Sequence, residues 1–434
     1  MPSPQARGAR DRSGIEGVLA LGRLLAGRPS REDPAWDFVV PLAREHGLSP
    51  LLYWCAAHAP AGAVVPAELL QQLKNDFYSA VRQTMLAERQ LAELLAALGQ
   101  AGVPTLVLKG SAAGAFYPDP ALRVYSDLDF LVPSSKVLEA ERVLHALGYR
   151  SPLSTAWWQE QFQHLAPMTR ARDELCVEVH WSLASGNGNA GFLPAKDVWE
   201  RGVPWRVGPG AGQPTLRLDD VDTVLHLCYH AAVQHRLYLG LRPLSDLAQV
   251  VSGWDQDHWL ALMGRARAYG LQRPVDLVLA LAARWLSLDL PREVTTSWEP
   301  LAPMLDGLLA RLAFPEAGGP TALVVAGAAP GLGARLRHLL WHLFLPREGM
   351  AVTYGIPARS PIIWLAYAWR PFDLLRKHGG TMWRVLRGEG TARSAWTADV
   401  WLERWRQGPR DGGRSETPAP STAGAWLDKE PISE

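Results

Sequence analysis

The stretch Ser126-Asp127-Leu128-Asp129-Phe130-Leu131-Val132 constrains this chain more than any other. Its apolar residues ask for a buried strand, yet two acids alternate with them. Successive side chains on a strand point to opposite faces, so Asp127 and Asp129 project on one side, about 6.6–7 Å apart along the chain. Carboxylates so placed repel each other and resist burial. A divalent cation relieves both problems, and Mg²⁺ prefers hard oxygen ligands while keeping water or phosphate in its other positions. The alternative is a solvated sheet edge.

The segment upstream sharpens that choice. Val103-Pro104-Thr105-Leu106-Val107-Leu108 is a short apolar run of the buried-strand kind, and it stops at Lys109-Gly110-Ser111. Ala112–Phe116 can form a short helix, which Tyr117-Pro118-Asp119-Pro120 ends, because proline disfavours helix in the residue before it. Between strand and helix, the backbone N–H groups and hydroxyl of Gly110-Ser111 can meet phosphate oxygens with no side chain in the way. Taken alone, Gly110 could be only a turn. A phosphate-cradling turn followed by a metal-binding acidic pair is what phosphoryl or nucleotidyl transfer requires.

Around this unit the periodicity is helical. Ile15–Leu25, Trp36–His46 and Ala67–Leu98 carry apolar residues at helical spacing. Pro133-Ser134-Ser135 is expected to cap a helix over Lys136–Leu147, closed by Gly148. Gln163–Thr169 and Leu175–Trp181 read as strands around a polar turn, and the glycines and prolines of Gly202–Pro214 read as the exit from the unit. Asp219 is placed to cap a further helix, and another covers Leu244–Val251. The expected architecture is an α/β core with a small mixed sheet flanked by helices, set between N- and C-terminal helical regions in a predominantly helical chain. Its divisions are 1–99 helical, 100–215 core, 216–316 helical, 317–390 a basic aromatic helical extension, and 391–434 a largely disordered tail with a possible short helix at Trp396–Trp405.

Composition narrows the classes. Apolar residues at 48% and charged residues at 20% exclude wholesale disorder, and a net charge of +1 gives no global field for nucleic acid or an anionic membrane. No nucleic-acid partner is expected. Three scattered cysteines and the lack of a signal-like N-terminus suggest a reducing cytoplasm. The two long stretches without Asp, Glu, Lys or Arg, Gly47–Ala67 and Ala317–Ala334, are broken by prolines or glycines, so no transmembrane segment is expected.

Leu108-Lys109-Gly110-Ser111, then Tyr117-Pro118-Asp119-Pro120 and Arg123, then Asp127-Leu128-Asp129, resembles the uncharacterised nucleotidyltransferase-like family of the polymerase-β nucleotidyltransferase superfamily. The likeness extends to Glu178-Val179-His180-Trp181, the His-rich helix and Asp246, over roughly residues 70–390. It implies a Gly-Ser turn, two metal-binding acids on one strand and a third on a neighbouring strand. The activity implied is transfer of a nucleoside monophosphate from an NTP, ATP being the first choice, to an acceptor hydroxyl with Mg²⁺ or Mn²⁺. Transfer of a phosphoryl group and a non-catalytic nucleotide-binding or regulatory role are the alternatives. The acceptor could be a small molecule, a sugar, a peptide or a protein.

Catalytic and metal-binding candidates are therefore Asp127, Asp129 and Glu178, the last as third ligand or as base. Lys109, Gly110, Ser111 and Arg123 are candidates for holding the nucleotide phosphates. His180, His230 and Asp246 are candidates for the acceptor pocket; a salt bridge to Arg236 or Arg242 is the plainer reading of Asp246. His226, His230 and His235 have spacing that can bind zinc, but lack the glutamate of a metalloprotease motif, and packing or pocket lining explains them as well. Arg335–Lys377 could lie on an acidic partner or a membrane surface, or could be a helical cover on the core.

Overall fold

The computed structural model describes residues 4–28, 34–58, 65–151, 162–173, 175–183, 193–208, 212–314, 324, 327–329, 331–357, 359–386 and 390–407. Its centre is a five-stranded mixed sheet of β1 (Leu106–Val107), β2 (Asp127–Leu131), β3 (Cys176–His180), β4 (Val203–Val207) and β5 (Gln213–Arg217), in the order β3-β2-β1-β5-β4. β1 runs antiparallel to β2 and parallel to β5, while β2 and β3 are parallel. That last pairing sets Asp129 directly beside Glu178.

Alternation sorts the sheet into two faces. Leu128, Phe130, Val177 and Val179 pack with Leu91, Leu94 and Leu98 of the long helix Ala67–Gln100 and with Val137, Ala140 and Leu144 of the helix Val137–Ala146. The opposite face carries Asp127, Asp129, Glu178 and His180. It lies toward a larger helical core in which Leu131 and Leu108 join Val224, Leu225 and Cys228 of the helix Asp220–Tyr229. Asp219 caps that helix as expected: its Oδ1 accepts from the Asp222 N–H at 2.6 Å. The same core takes in the helix Gln272–Leu286 and Val18, Leu21 and Leu24 of the first helix, Pro4–Leu25. Gly22 lies flat against Trp285, whose backbone carbonyl a methyl group would strike, and the Trp285 indole donates to the Val18 carbonyl at 2.8 Å.

Several elements differ from expectation. Only Leu106–Val107 of the 103–108 run enters a ladder. Gln163–Thr169 forms no continuous strand. It meets β3 through isolated antiparallel bridges, His164 to His180 and Met168 to Val177, whose registers differ by one residue. Gly202–Pro214 is not an exit, for it supplies β4 and opens β5. Pro204 is tolerated because β4 is the sheet edge, and Pro214 because β1 pairs only with Leu216 and Arg217 of β5. Ser49–His58 is helical despite Pro50, which sits in the first turn where its missing N–H costs nothing. Ser134–Lys136 is a 3₁₀ turn with no side-chain cap on the helix that follows.

Among the described residues from 331 onward, the chain forms the helices Gly331–Leu343, Arg347–Tyr354, Ile363–Leu386 and Gly390–Gln407. The last extends well beyond Trp396–Trp405 and packs Ala398 and Leu402 into the main core. There the buried Arg311 donates to Asp399 at 2.6 Å. The rest of the segment expected to be disordered, 408–434, lies outside the described residues, as does most of 317–330.

Candidate active site

Asp129 is the centre of the polar sheet face. Its side chain is 1% exposed. Its Oδ1 accepts from His180 Nε2 at 2.9 Å and from the Lys109 ammonium at 3.4 Å, while its Oδ2 is buried with no partner. Glu178 Oε2 lies 3.6 Å from His180 Nε2 and 3.9 Å from His164 Nδ1. One donor atom each from Asp129, Glu178 and His180 falls within 4.8 Å of the others. Among the described residues these three form the group that could hold a metal ion; Asp127 shares their face but is not among them.

Charge balance at this cluster is set by neighbours. Burial pushes the Asp129 pKa up, but Lys109 and the His180 hydrogen bond outweigh it and hold the carboxyl well below its usual range. Asp127 goes the other way: repulsion from Asp129, then burial, raises it to about 6. Glu178 is held down because His180 and His164 overcome the effect of burial. Around Lys109, burial opposes the ammonium but Asp129, Asp127 and Glu178 prevail, and its pKa rises. Burial opposes protonation of His180, but its hydrogen bond to Asp129 and its contact with Glu178 prevail and raise its pKa, so the site sets three carboxyls against Lys109 and this imidazole.

The Gly-Ser turn is strained. Lys109 has φ +28° and Gly110 φ +21° with ψ −106°, at the point where β1 breaks into the helix Lys109–Gly114. The Leu108 N–H donates to the Asp129 carbonyl at 2.9 Å, which fixes this turn against β2. A Cβ at Gly110 would sit 3.4 Å from the Asp127 carbonyl in a left-handed backbone conformation, so glycine is the natural occupant.

Arg123 and Asp246 find each other instead of separate ligands. Arg123 donates through Nη2 to Asp246 Oδ2 at 2.9 Å and through Nε to Oδ1 at 3.2 Å, and the Tyr117 hydroxyl donates to Oδ1 at 2.8 Å. The partner of Asp246 is therefore neither Arg236 nor Arg242. Arg242 donates to the Val124 carbonyl at 2.9 Å, on the loop that leads into β2. The Tyr-Pro segment and Arg123 thus clamp that loop to the helix Arg242–Val250.

The three helical histidines form an aromatic ladder, with ring centroids 5.7 Å apart for His226 and His230 and 4.3 Å for His230 and His235. They are not among the groups whose donor atoms converge for a metal, so the zinc reading is dropped. His226 is buried with neither ring nitrogen paired, and burial, reinforced by Lys109, lowers its pKa to about 3. Between it and Lys109 lies a cavity of about 10 Å³, the size of one water. His230 and His235 are also held neutral by burial. His164, which sequence reasoning passed over, reaches Glu178, and its ring lies tilted with its centroid 4.9 Å from that of His180. Its signal was its place in the expected 163–169 strand, across a polar turn from the expected 175–181 strand.

None of the curated proteins compared with this chain matches it. Two solved structures are similar. The solution structure of the antibiotic-resistance factor ANT(2'')-Ia is 14% identical, with 43% of this chain and 93% of that one covered at a TM-score of 0.33. The crystal structure of ANT(2'')-Ia in complex with adenylyl-2''-tobramycin is 15% identical, with 42% and 97% covered at a TM-score of 0.32. Both likenesses are too distant to add weight. The family model described as uncharacterised nucleotidyltransferase matches residues 32–287, more than half of the chain and the whole of the sheet, the Gly-Ser turn and the acidic cluster. This chain belongs to the uncharacterised nucleotidyltransferase family.

Proposed function

We propose that this nucleotidyltransferase moves a nucleoside monophosphate from an NTP, ATP in the first instance, to a hydroxyl of its acceptor in a reaction that depends on Mg²⁺ or Mn²⁺. The observation that carries the metal dependence is Asp129 Oδ2: a fully buried oxygen of an ionised carboxylate, without a partner, beside Glu178 and His180. Such an atom is costly to bury unless a cation meets it. When bound, the divalent ion supplies charge neutralisation at the phosphates and at the departing pyrophosphate.

Asp129 and Glu178 would hold that ion. Asp127, on the same strand face, would join them once its proton is lost. The lowered pKa of Glu178 favours a ligand over a base. Lys109 and His180 keep Asp129 ionised and oriented. Gly110 and Ser111 would present backbone N–H groups to the triphosphate. Arg123, committed to Asp246, acts on the phosphates only indirectly, by fixing the loop before Asp127. His180 serves the acidic cluster, and His230 with the neutral imidazole ladder is left to face the acceptor.

The test is incubation of the full chain with NTPs, Mg²⁺ or Mn²⁺ and candidate small-molecule, sugar, peptide and protein acceptors, read by mass spectrometry and by release of pyrophosphate. Expected are a nucleoside monophosphate mass increment and loss of turnover in Asp127→Asn and Asp129→Asn. Release of a nucleoside diphosphate would mean phosphoryl transfer instead, and unchanged turnover in both variants would defeat the site assignment.

A further inference from the structure

We propose that the C-terminal helices Gly331–Leu343 and Ile363–Leu386 dock this enzyme on the surface of an anionic lipid bilayer. The helix Ile363–Leu386 is amphipathic in the wrong sense for water. Ile363, Ala366, Arg370 and Asp373, at helical spacing, are its buried residues; Arg370 donates to the His342 carbonyl at 2.8 Å, and Asp373 accepts from the Tyr354 hydroxyl at 3.1 Å. Its largest apolar side chains face outward instead: Trp364 is 64% exposed, Leu365 69%, Trp369 52% and Phe372 65%. On Gly331–Leu343, every fourth residue of Leu332, Leu336 and Leu340 is exposed, and the stripe continues to Phe344.

These are not scattered surface residues. Of the 16 large apolar side chains that stand exposed among the described residues, 11 fall between Leu332 and Trp383. Soluble surfaces rarely concentrate apolar residues in this way unless something covers them.

Charge selects the occupant. Residues 331–386 hold eight Arg and Lys against Glu348 and Asp373, in a chain whose net charge is only +1. Arg335, Arg337, Arg347, Arg359, Arg376 and Lys377 are exposed on the same segment of chain, with Arg347 5.9 Å over the Trp364 ring. Trp, Phe and Leu on one face with Arg and Lys at the margin is the arrangement that seats a helix at the headgroup level. The rings enter the acyl boundary while the long cationic side chains reach the phosphates. A second copy of the chain would bring like charges together around the same stripe. Among the described residues no helix is long and apolar enough to cross a membrane, so the contact is with its surface.

Flotation of the full chain with phosphatidylcholine vesicles containing phosphatidylglycerol, against pure phosphatidylcholine vesicles, tests this. Wild type should float with the anionic vesicles, weakly with the neutral ones, and less as salt is raised. The triple variant Trp364→Ser, Trp369→Ser, Phe372→Ser should melt as wild type does and partition at least about tenfold less. Arg337→Glu with Arg359→Glu, which leaves in place both the rings and the pairing of Asp373 with Arg376 and Lys377, should weaken binding to the anionic vesicles alone. Failure of wild type to float with anionic vesicles overturns the proposal. So does a wild-type dimer by light scattering that the triple variant converts to monomer, or capture by polyglutamate without vesicle binding, which would assign the face to a second copy or to an acidic protein.

Discussion

Two carboxylates of this molecule are buried almost equally and used differently. Asp246, on a helix, is saturated: a bidentate guanidinium from Arg123 and the Tyr117 hydroxyl occupy both its oxygens. Asp129, on the sheet, spends one oxygen on His180 and Lys109 and keeps the other bare. A buried acid whose hydrogen bonds are complete is finished as a structural device. One left incomplete, beside a second acid and an imidazole, is held ready for something that arrives. Burial alone would have ranked the two as equivalent; the count of satisfied lone pairs separates them.

The contrast can be broken by experiment. Asp129→Asn should lower nucleotidyl turnover on the order of a thousandfold, with the unfolding transition retained, as measured by pyrophosphate release and calorimetry. Asp246→Ala should do the reverse in kind: breaking a buried pair leaves Arg123 uncompensated and costs about 3–5 kcal/mol of stability, read by urea unfolding. If Asp246→Ala is as stable as wild type, the clamp assigned to it does not exist.

A smaller effect comes from imidazoles kept neutral. His226 has its pKa lowered to about 3, and burial lowers that of His46 as well. Because the folded state prefers the unprotonated rings, their contribution is complete above the ordinary histidine pKa of about 6.5 and is lost as pH falls toward the folded values. For His226 the loss approaches about 1.4 kcal/mol per pH unit between that point and its folded value of about 3. Unfolding at pH 7 and 5.5 measures the slope, and His226→Leu should flatten it by one such share. The smallest effect belongs to the solvent-facing pair Arg44–Asp76, 2.7 Å apart with Arg44 41% exposed. Asp76→Ala should change stability by at most about 1 kcal/mol, which calibrates the others.

Period-two alternation was enough to find β2 and β3 and to put Asp127 with Asp129, and Glu178 with His180, on one face of its own strand; the parallel β2–β3 pairing is what sets those faces together. Helical spacing found most of Trp36–Glu45 and Ala67–Gln100 for the same reason, since a core writes its period into whatever packs against it. What local pattern does not carry is partner choice. Nothing near Arg123 names Asp246 as its mate across more than a hundred residues, and nothing near Lys109 says that its ammonium will sit on Asp129. The hairpin β4–β5 was concealed because Pro204 and Pro214 read as breakers, and only the sheet order shows that neither faces a ladder that needs its N–H. The outward Trp364 and Trp369 were legible as aromatic and basic, but which side of the helix they occupy depended on the inward turn of Arg370 and Asp373.

The family match begins at residue 32, after the first helix. Yet Val18, Leu21 and Leu24 fill the same apolar interior as the helix Gln272–Leu286, and Gly22 is fitted to Trp285 as closely as a hydrogen atom allows. A fragment trimmed to the shared residues would be missing a wall. Its indole would face solvent, its groove would invite aggregation, and an inert preparation of that kind would say nothing about the chemistry of the intact enzyme.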